Sequence, residues 1–283
     1  KGFIYSDCKV DDARLVLANA VSASELGATV LTRTSLEKAR RNGGVWYARL
    51  RDRGGEVSVA AKAIVNAAGP WVKEVLNGRL RQPSSDQVRL VKGSHLVVRK
   101  LFDHGAGYIF QNPDKRIIFA IPYERDFTLI GTTDQEIHGD PRGAAIAEDE
   151  IAYLCAQASR YFKRALTPAD VVWTYAGVRP LLDDASGDPS AVTRDYLLEP
   201  NHEGAPLLSV WGGKITTFRK LAEDAATEVG QMLGEARRPW TEGAFLPGGD
   251  LHDWIGPARR PDTDFERLVQ TLGQRHPWLP GPL

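Results

Sequence analysis

Apolar positions along the chain keep two rhythms, a helical one in several blocks and a shorter, strand-like one between them. Asp11 or Asp12 can cap a first helix, whose Leu15, Val16, Ala18, Asn19, Ala20 and Ala23 recur at helical spacing up to Gly27. After the short run Thr29-Val30-Leu31, two strands are expected over 45–51 and 57–61. Asp52-Arg53-Gly54-Gly55 joins them as a hairpin. The segment 63–71 reads as a buried strand ending in Ala67-Ala68-Gly69. A helix over 70–76 follows, with Pro70 where the first N–H has no helical partner.

From Val88 the segments shorten. Leu96-Val97-Val98, Tyr108-Ile109-Phe110, 116–123 and 127–131 are separated by Asn112-Pro113-Asp114-Lys115 and Glu124-Arg125-Asp126, a spacing that predicts an antiparallel sheet. One helix interrupts it over 147–164, with Ile151, Leu154, Cys155, Ala158, Tyr161 and Phe162 on one face and Thr167-Pro168 as a stop. The sheet is expected to resume over 171–178, 196–198 and 207–211, and a last helix to run over 216–233. The Pro- and Gly-rich stretch 239–256 reads as a linker into a further helix-like stretch over 263–272. The fold class is therefore α+β.

Composition narrows the function. The 283 residues amount to about two domains. Lys plus Arg (36) equals Asp plus Glu (36), so no overall basic field exists to hold nucleic acid. No apolar run reaches the ~18 residues of a spanning helix. Cys8 and Cys155 are far apart, which gives neither a disulfide framework nor a metal-ligand spacing and favours a reducing compartment. The first residues lack the cationic start and apolar core of a targeting peptide. Both ends read as cuts through a longer protein.

Five segments could carry chemistry. In Leu207-Leu208-Ser209-Val210-Trp211-Gly212-Gly213-Lys214-Ile215-Thr216-Thr217, a strand runs through two glycines into a helix. Such a turn offers backbone N–H groups and a positive dipole end to a flat or anionic ligand, and Lys214 adds a movable charge. The plain alternative is a tight connection. Ala68 and Gly69 end a strand where α/β folds bind ligands, although helix–strand packing also asks for small residues. Arg179 and Arg194 sit at expected strand ends among apolar residues, as carboxylate or phosphate forks or as partners of Asp183, Asp184 or Asp195. His95, next to Gly93 and Ser94, is either a structural imidazole or a proton acceptor for an alcohol. Gly131-Thr132-Thr133-Asp134 either orders a site or makes a turn.

Taken in order, these segments resemble the FAD-dependent, quinone-linked glycerol-3-phosphate dehydrogenases of the D-amino-acid-oxidase-like flavoprotein superfamily. The resemblance rests on Tyr5-Ser6-Asp7-Cys8 with 10–15, 65–71, Lys92-Gly93-Ser94-His95, 130–134, 175–181, 212–223 and Leu246-Pro247-Gly248-Gly249, and covers nearly the whole chain. It implies part of an FAD-binding layer over 1–85 and 206–235, a substrate-side antiparallel domain with a covering helix over 86–205, and a linker with an incomplete helical region over 236–283.

By the same resemblance, Leu36, Ala68, Gly69, Gly212, Gly213, Lys214, Ile215 and Thr216 line the FAD. Arg179, Arg194, Lys214 and Thr133 hold glycerol 3-phosphate. His95, Arg179 and Lys214 serve catalysis, with His95 taking the hydroxyl proton while hydride leaves C2. The intact enzyme is expected to pass electrons to quinone from the inner, cytoplasmic face of the membrane and to be able to dimerise. No metal is expected. The family's Gly-x-Gly-x-x-Gly turn for the FAD pyrophosphate, and an early segment supplying a further arginine, have no counterpart here. The isolated chain is thus expected to bind FAD weakly or not at all and to be inactive. Two rivals stay open: an amine or amino-acid oxidase of the same superfamily, and a non-enzymatic module that binds an anion or a partner.

Overall fold

The computed structural model describes residues 2–7, 9–84, 88–182, 196–235 and 237–249. The chain divides into two units, Lys1–Thr34 with Arg238–Leu283, and Ser35–Arg237. In the first, helix α1 (Asp12–Glu25) starts where the Asp11 side chain accepts from the Arg14 N–H at 3.0 Å. It ends at Leu26, before Gly27 at φ 93°. The expected helix over 263–272 lies outside the described residues, as does the part of the 239–256 linker beyond Gly249.

Among the described residues, the second unit contains three sheets. An antiparallel meander joins β1 (Ser35–Asn42), β2 (Val45–Asp52) and β3 (Gly55–Ala61). The β2–β3 hairpin falls where the Asp-Arg-Gly-Gly turn predicts it. β1 was not expected, because Ser35-Leu36-Glu37-Lys38-Ala39-Arg40-Arg41-Asn42 has few apolar residues to betray a strand. It is held by its ladder to β2 and by Ala39, which is buried with Trp46.

β4 (Ile64–Asn66) runs into a 3-10 turn (Gly69–Trp71), α2 (Val72–Glu74) and a wider π turn (Val75–Leu80), where one regular helix was expected. Val72, Leu76 and Leu80 are buried against Trp46, Leu207 and Trp211. Both indole N–H groups in that core are satisfied, Trp46 by Pro206 O and Trp211 by Glu199, each at 2.8 Å.

The large sheet contains β5 (Val88–Arg99), β6 (Tyr108–Gln111), β7 (Ile117–Tyr123), β8 (Phe127–Gly131), β9 (Gln135–Ile137) and β10 (Val171–Leu182). Its order is β10-β5-β8-β7-β6, with β9 on β5 beyond the end of β8. The short β9, unforeseen in the pattern, pairs Leu90, Val91 and Lys92. Strand alternation sorts β5 cleanly. Leu96 and Val98 enter the core with Ile118, Ala120, Ile130 and the Leu154, Cys155 and Ala158 face of α3 (Glu148–Ser159), whereas Val91, Gly93 and His95 point the other way. α3 stops five residues early. Tyr161 and Phe162 lie past its end, where they join Phe102, Tyr108 and Phe110 in an aromatic group of stacked and edge-to-face contacts.

β11 (Tyr196–Asn201) and β12 (Leu207–Gly212) correct a second expectation. They do not continue the large sheet: β11 pairs antiparallel with β12, and β12 pairs parallel with β4. α4 (Phe218–Met232) then follows a 3-10 turn over Ile215–Thr217. Among the described residues, no helix is long and apolar enough to cross a membrane.

Candidate functional site

Two groups of sequence-predicted residues come together, each for a reason in the ladders. The first lies on the face of the large sheet away from α3. The β5–β10 register sets His95 opposite Tyr175, Gly93 opposite Gly177 and Val91 opposite Arg179. Directly opposed residues of an antiparallel pair share a face, so an imidazole, a bare glycine pair and an arginine follow one another along one surface. The His95 and Tyr175 rings stack at 4.9 Å with 9° between planes.

Gly177 is exposed and a Cβ there would meet nothing within 4 Å, so the floor between imidazole and arginine is open. Arg179 folds across Gly93. Its Nη1 donates to Asp134 Oδ1 at 2.5 Å and its Nη2 to Thr132 Oγ1 at 3.3 Å. Arg179 therefore sits within β10 rather than at a strand end. Asp134 is its carboxylate partner among the described residues; Arg194, Asp183, Asp184 and Asp195 lie outside them.

Burial, and after it the nearby positive charge of Arg179, pull the His95 pKa down to about 4, with Asp134 opposing. The ring is neutral at physiological pH. Its buried Nδ1 has no hydrogen-bond partner among the described residues, and a neutral imidazole keeps one lone pair able to take a proton. A Cβ on Gly131, opposite His95 on β8, would overlap the ring, so glycine there makes the room it occupies. The depressed value has a sign for stability. Between about pH 6.5 and 4 the unfolded chain binds the proton that the folded chain refuses, so stability falls as pH falls through that window. His95→Phe, which keeps a stacking ring, should lose less thermal stability between pH 7 and 5 than the parent does; thermal melts across that range check it.

The second group lies at the carboxyl ends of β4 and β12, abreast because Asn66 pairs with Ser209. There Gly69 has φ 54°, and Gly212 and Gly213 have φ 70° and 87°. A Cβ on Gly213 would also come within 2.8 Å of Leu221, so this turn demands glycine twice over. The first helical hydrogen bond beyond it is Thr217 N–H to Lys214 O, which leaves the Ile215 and Thr216 N–H groups ahead of it without a helical acceptor. Lys214 is exposed, and among the described residues its ammonium has no ion-pair partner. Asn66 donates to Val72 O at 2.9 Å, but its buried Oδ1 is unpaired among the described residues. Two bare turns, leading N–H groups and an orphan acceptor suit a flat, anion-bearing cofactor such as FAD. β10 links the groups, since Pro180, next to Arg179, reaches within 4.0 Å of the Gly69 Cβ position.

Two expected residues stand elsewhere. Thr133 is buried on the α3 side, where its hydroxyl donates to Glu150 Oε1 at 2.6 Å and accepts from the Ser94 N–H at 3.0 Å. That hydroxyl is committed to the core and not presented to a substrate, which corrects the expectation. Leu36 packs on the Trp46–Trp211 core from β1, its backbone paired with Leu50.

Sequence reasoning missed Asp134 as the partner of Arg179, and missed Glu150 entirely. Glu150 is 2% exposed. Its carboxylate accepts from Lys92 Nζ (2.7 Å), Thr133 Oγ1 (2.6 Å), the Ala147 N–H (2.8 Å) and Ser94 Oγ (2.9 Å). Burial alone would raise its pKa; these four donors outweigh it and hold the carboxyl below its ordinary range.

Residues 1–219 match the family model described as FAD dependent oxidoreductase. The chain is 48% identical over 282 residues to a glycerol-3-phosphate dehydrogenase of Pseudomonas aeruginosa, covering 99% of this chain and 53% of that protein. It is also 48% identical over 286 residues to a D-erythritol 1-phosphate dehydrogenase of Brucella abortus, covering 100% and 55%. A solved glycerol-3-phosphate dehydrogenase of Bacillus halodurans, in complex with FAD, superposes with a TM-score of 0.76 at 30% identity, over 94% of this chain and 50% of that one. The chain spans about half the length of the curated relatives it matches.

Proposed function

We propose a function from one premise: the chain belongs to the FAD-dependent oxidoreductase family. The reaction is oxidation of the C2 hydroxyl of sn-glycerol 3-phosphate to the ketone of dihydroxyacetone phosphate. FAD, when bound, supplies the acceptor for the two electrons that leave C2. The observation that carries the reading is the placement of a neutral imidazole and a cationic fork on one sheet face. Gly93, under the fork, is two residues from His95, about 7 Å of extended strand.

His95 takes the hydroxyl proton as the C2–H bond breaks and the carbonyl forms. Arg179 holds the phosphate through its remaining N–H groups, helped by Lys214 and Arg194, and the open floor at Gly177 receives the carbon chain. Ala68, Gly69 and the 212–216 turn would hold the cofactor, Ile215 and Thr216 through their leading N–H groups. In the intact enzyme, peripherally associated with the inner face of the membrane and able to dimerise, electrons would go on to a quinone.

The test is steady-state oxidation by the FAD-loaded full-length protein with glycerol 3-phosphate, D-erythritol 1-phosphate and D-amino acids in parallel. A phosphate-bearing polyol should be turned over at least about 100-fold more efficiently than any amino acid, because an amino acid offers the cationic pocket only a singly charged carboxylate and gives His95 no C2 hydroxyl to deprotonate. Preference for erythritol phosphate would move the assignment within polyol phosphates, and preference for an amino acid would overturn it. Flavin fluorescence of the full-length protein, titrated with FAD, separates both from a module indifferent to the cofactor.

A further inference from the structure

The Arg179 guanidinium is seated by three groups from two segments. Gly93 on β5 provides bare backbone, over which a Cβ would come within 2.6 Å of Arg179 Nη2 and 2.8 Å of Thr132 Oγ1. The chain just after β8 provides the Thr132 hydroxyl and the Asp134 carboxylate. That chain is itself fixed: Thr132 donates to Thr133 O at 2.9 Å, and Thr133 is bound to the buried Glu150. The Asp134 side chain is 46% exposed and fills no core space. A carboxylate beside an anion-binding arginine also weakens anion binding by repulsion. Its place needs another reason.

That reason lies in what it touches. With two N–H groups bound to Asp134 and Thr132, Arg179 keeps three for a ligand, and its long side chain is already ordered before the ligand arrives. Asp134 also lies near His95, because the Arg179 it holds folds over Gly93, two residues from His95 on the same face of β5, and its charge favours the protonated ring against burial and Arg179.

We propose that Asp134, with Thr132 and Gly93, is the positioning residue that presents Arg179 to the substrate's phosphate and balances the charge His95 gains on taking the hydroxyl proton. This rests on the anion-pocket reading above. Asp134→Asn keeps an acceptor for Nη1 and removes the charge. KM for glycerol 3-phosphate should not rise, while kcat falls about tenfold, the worth of one lost charged interaction. Asp134→Ala loses seat and charge, so KM rises about tenfold as well. Gly93→Ala displaces the guanidinium without altering charge, so KM rises by about the same factor while kcat moves less than about threefold.

Thermal stabilisation by inorganic phosphate gives a readout independent of turnover. It should persist in Asp134→Asn and shrink in Asp134→Ala and Gly93→Ala. An Asp134 with a merely structural role would shift the melting temperature without phosphate and leave the KM-against-kcat split unmoved. If the parent protein gains no stability from phosphate, the anion pocket falls and this role with it. If the parent responds and the Asp134→Ala and Gly93→Ala proteins match it in both KM and phosphate response, the positioning role alone is overturned.

Discussion

Glu150→Ala should destabilise the protein by about 3–5 kcal/mol, the cost of leaving a buried charge without its partner. The geometry sets that scale. Lys92 Nζ lies 2.7 Å from the carboxylate, both side chains are at least nine-tenths buried, and the other donors to Glu150 come from β5, the chain after β8 and the residue that caps the start of α3. Removing the acid strands the Lys92 ammonium, with only Ala145 O at 3.0 Å left to it among the described residues. Lys92→Met should cost a similar amount by stranding the acid.

The double variant Lys92→Met/Glu150→Ala should cost less than the sum, because neither charge is then left without a counter-charge, yet more than nothing, because Ser94, Thr133 and the Ala147 N–H lose their acceptor. The pH dependence has one sign. A carboxyl held below its unfolded value contributes fully at neutral pH, and that contribution is lost as pH falls through its folded pKa. Urea unfolding of the three variants measures these costs, and additive costs would show that Lys92 and Glu150 do not act as a pair.

The same cluster shows where the sequence could be read and where it could not. Lys92-Gly93-Ser94-His95 stands out as a string, but a strand deals its residues alternately to two faces. Gly93 and His95 go to the site, whereas Lys92 and Ser94 go to Glu150. The string is two functions interleaved, and only the pairing of β5 with β8, β9 and β10 separates them. Glu150 was invisible because an acid in the first turn of a helix is ordinarily a solvated dipole partner; here it is roofed over by the large sheet.

The turns at 68–69 and 212–213 were legible because their glycines answer a local backbone demand, positive φ, that any context would impose. β1 and β9 were not, since one is polar and the other three residues long. β11 was seen as a strand but given to the wrong sheet, because nothing in a strand's own residues names its neighbour.

Arg179→Gln should leave stability nearly unchanged and remove most of the activity. The Arg179 and Asp134 side chains are 38% and 46% exposed, and a pair so open to water contributes at most about 1 kcal/mol to folding. Toward a phosphate the same fork counts for far more. Truncating one partner of a desolvated, hydrogen-bonded charge pair costs about 2–5 kcal/mol, a fall of roughly 30- to 5,000-fold in kcat/KM. Most of it should enter through KM if the fork chiefly binds, and through kcat as well if it orients C2 toward His95.

Arg179→Lys tests the fork itself. An ammonium cannot meet Asp134, Thr132 and a phosphate in one plane, so charge alone should restore only part of the loss. Kinetics of the FAD-loaded full-length protein, read beside thermal melts of the same samples, separate this from the Glu150 result, where stability falls first and activity follows it. A glutamine variant with parental KM and kcat would take the guanidinium out of the substrate's path, leaving His95 and the 212–216 turn without the anion anchor that the proposed reaction requires.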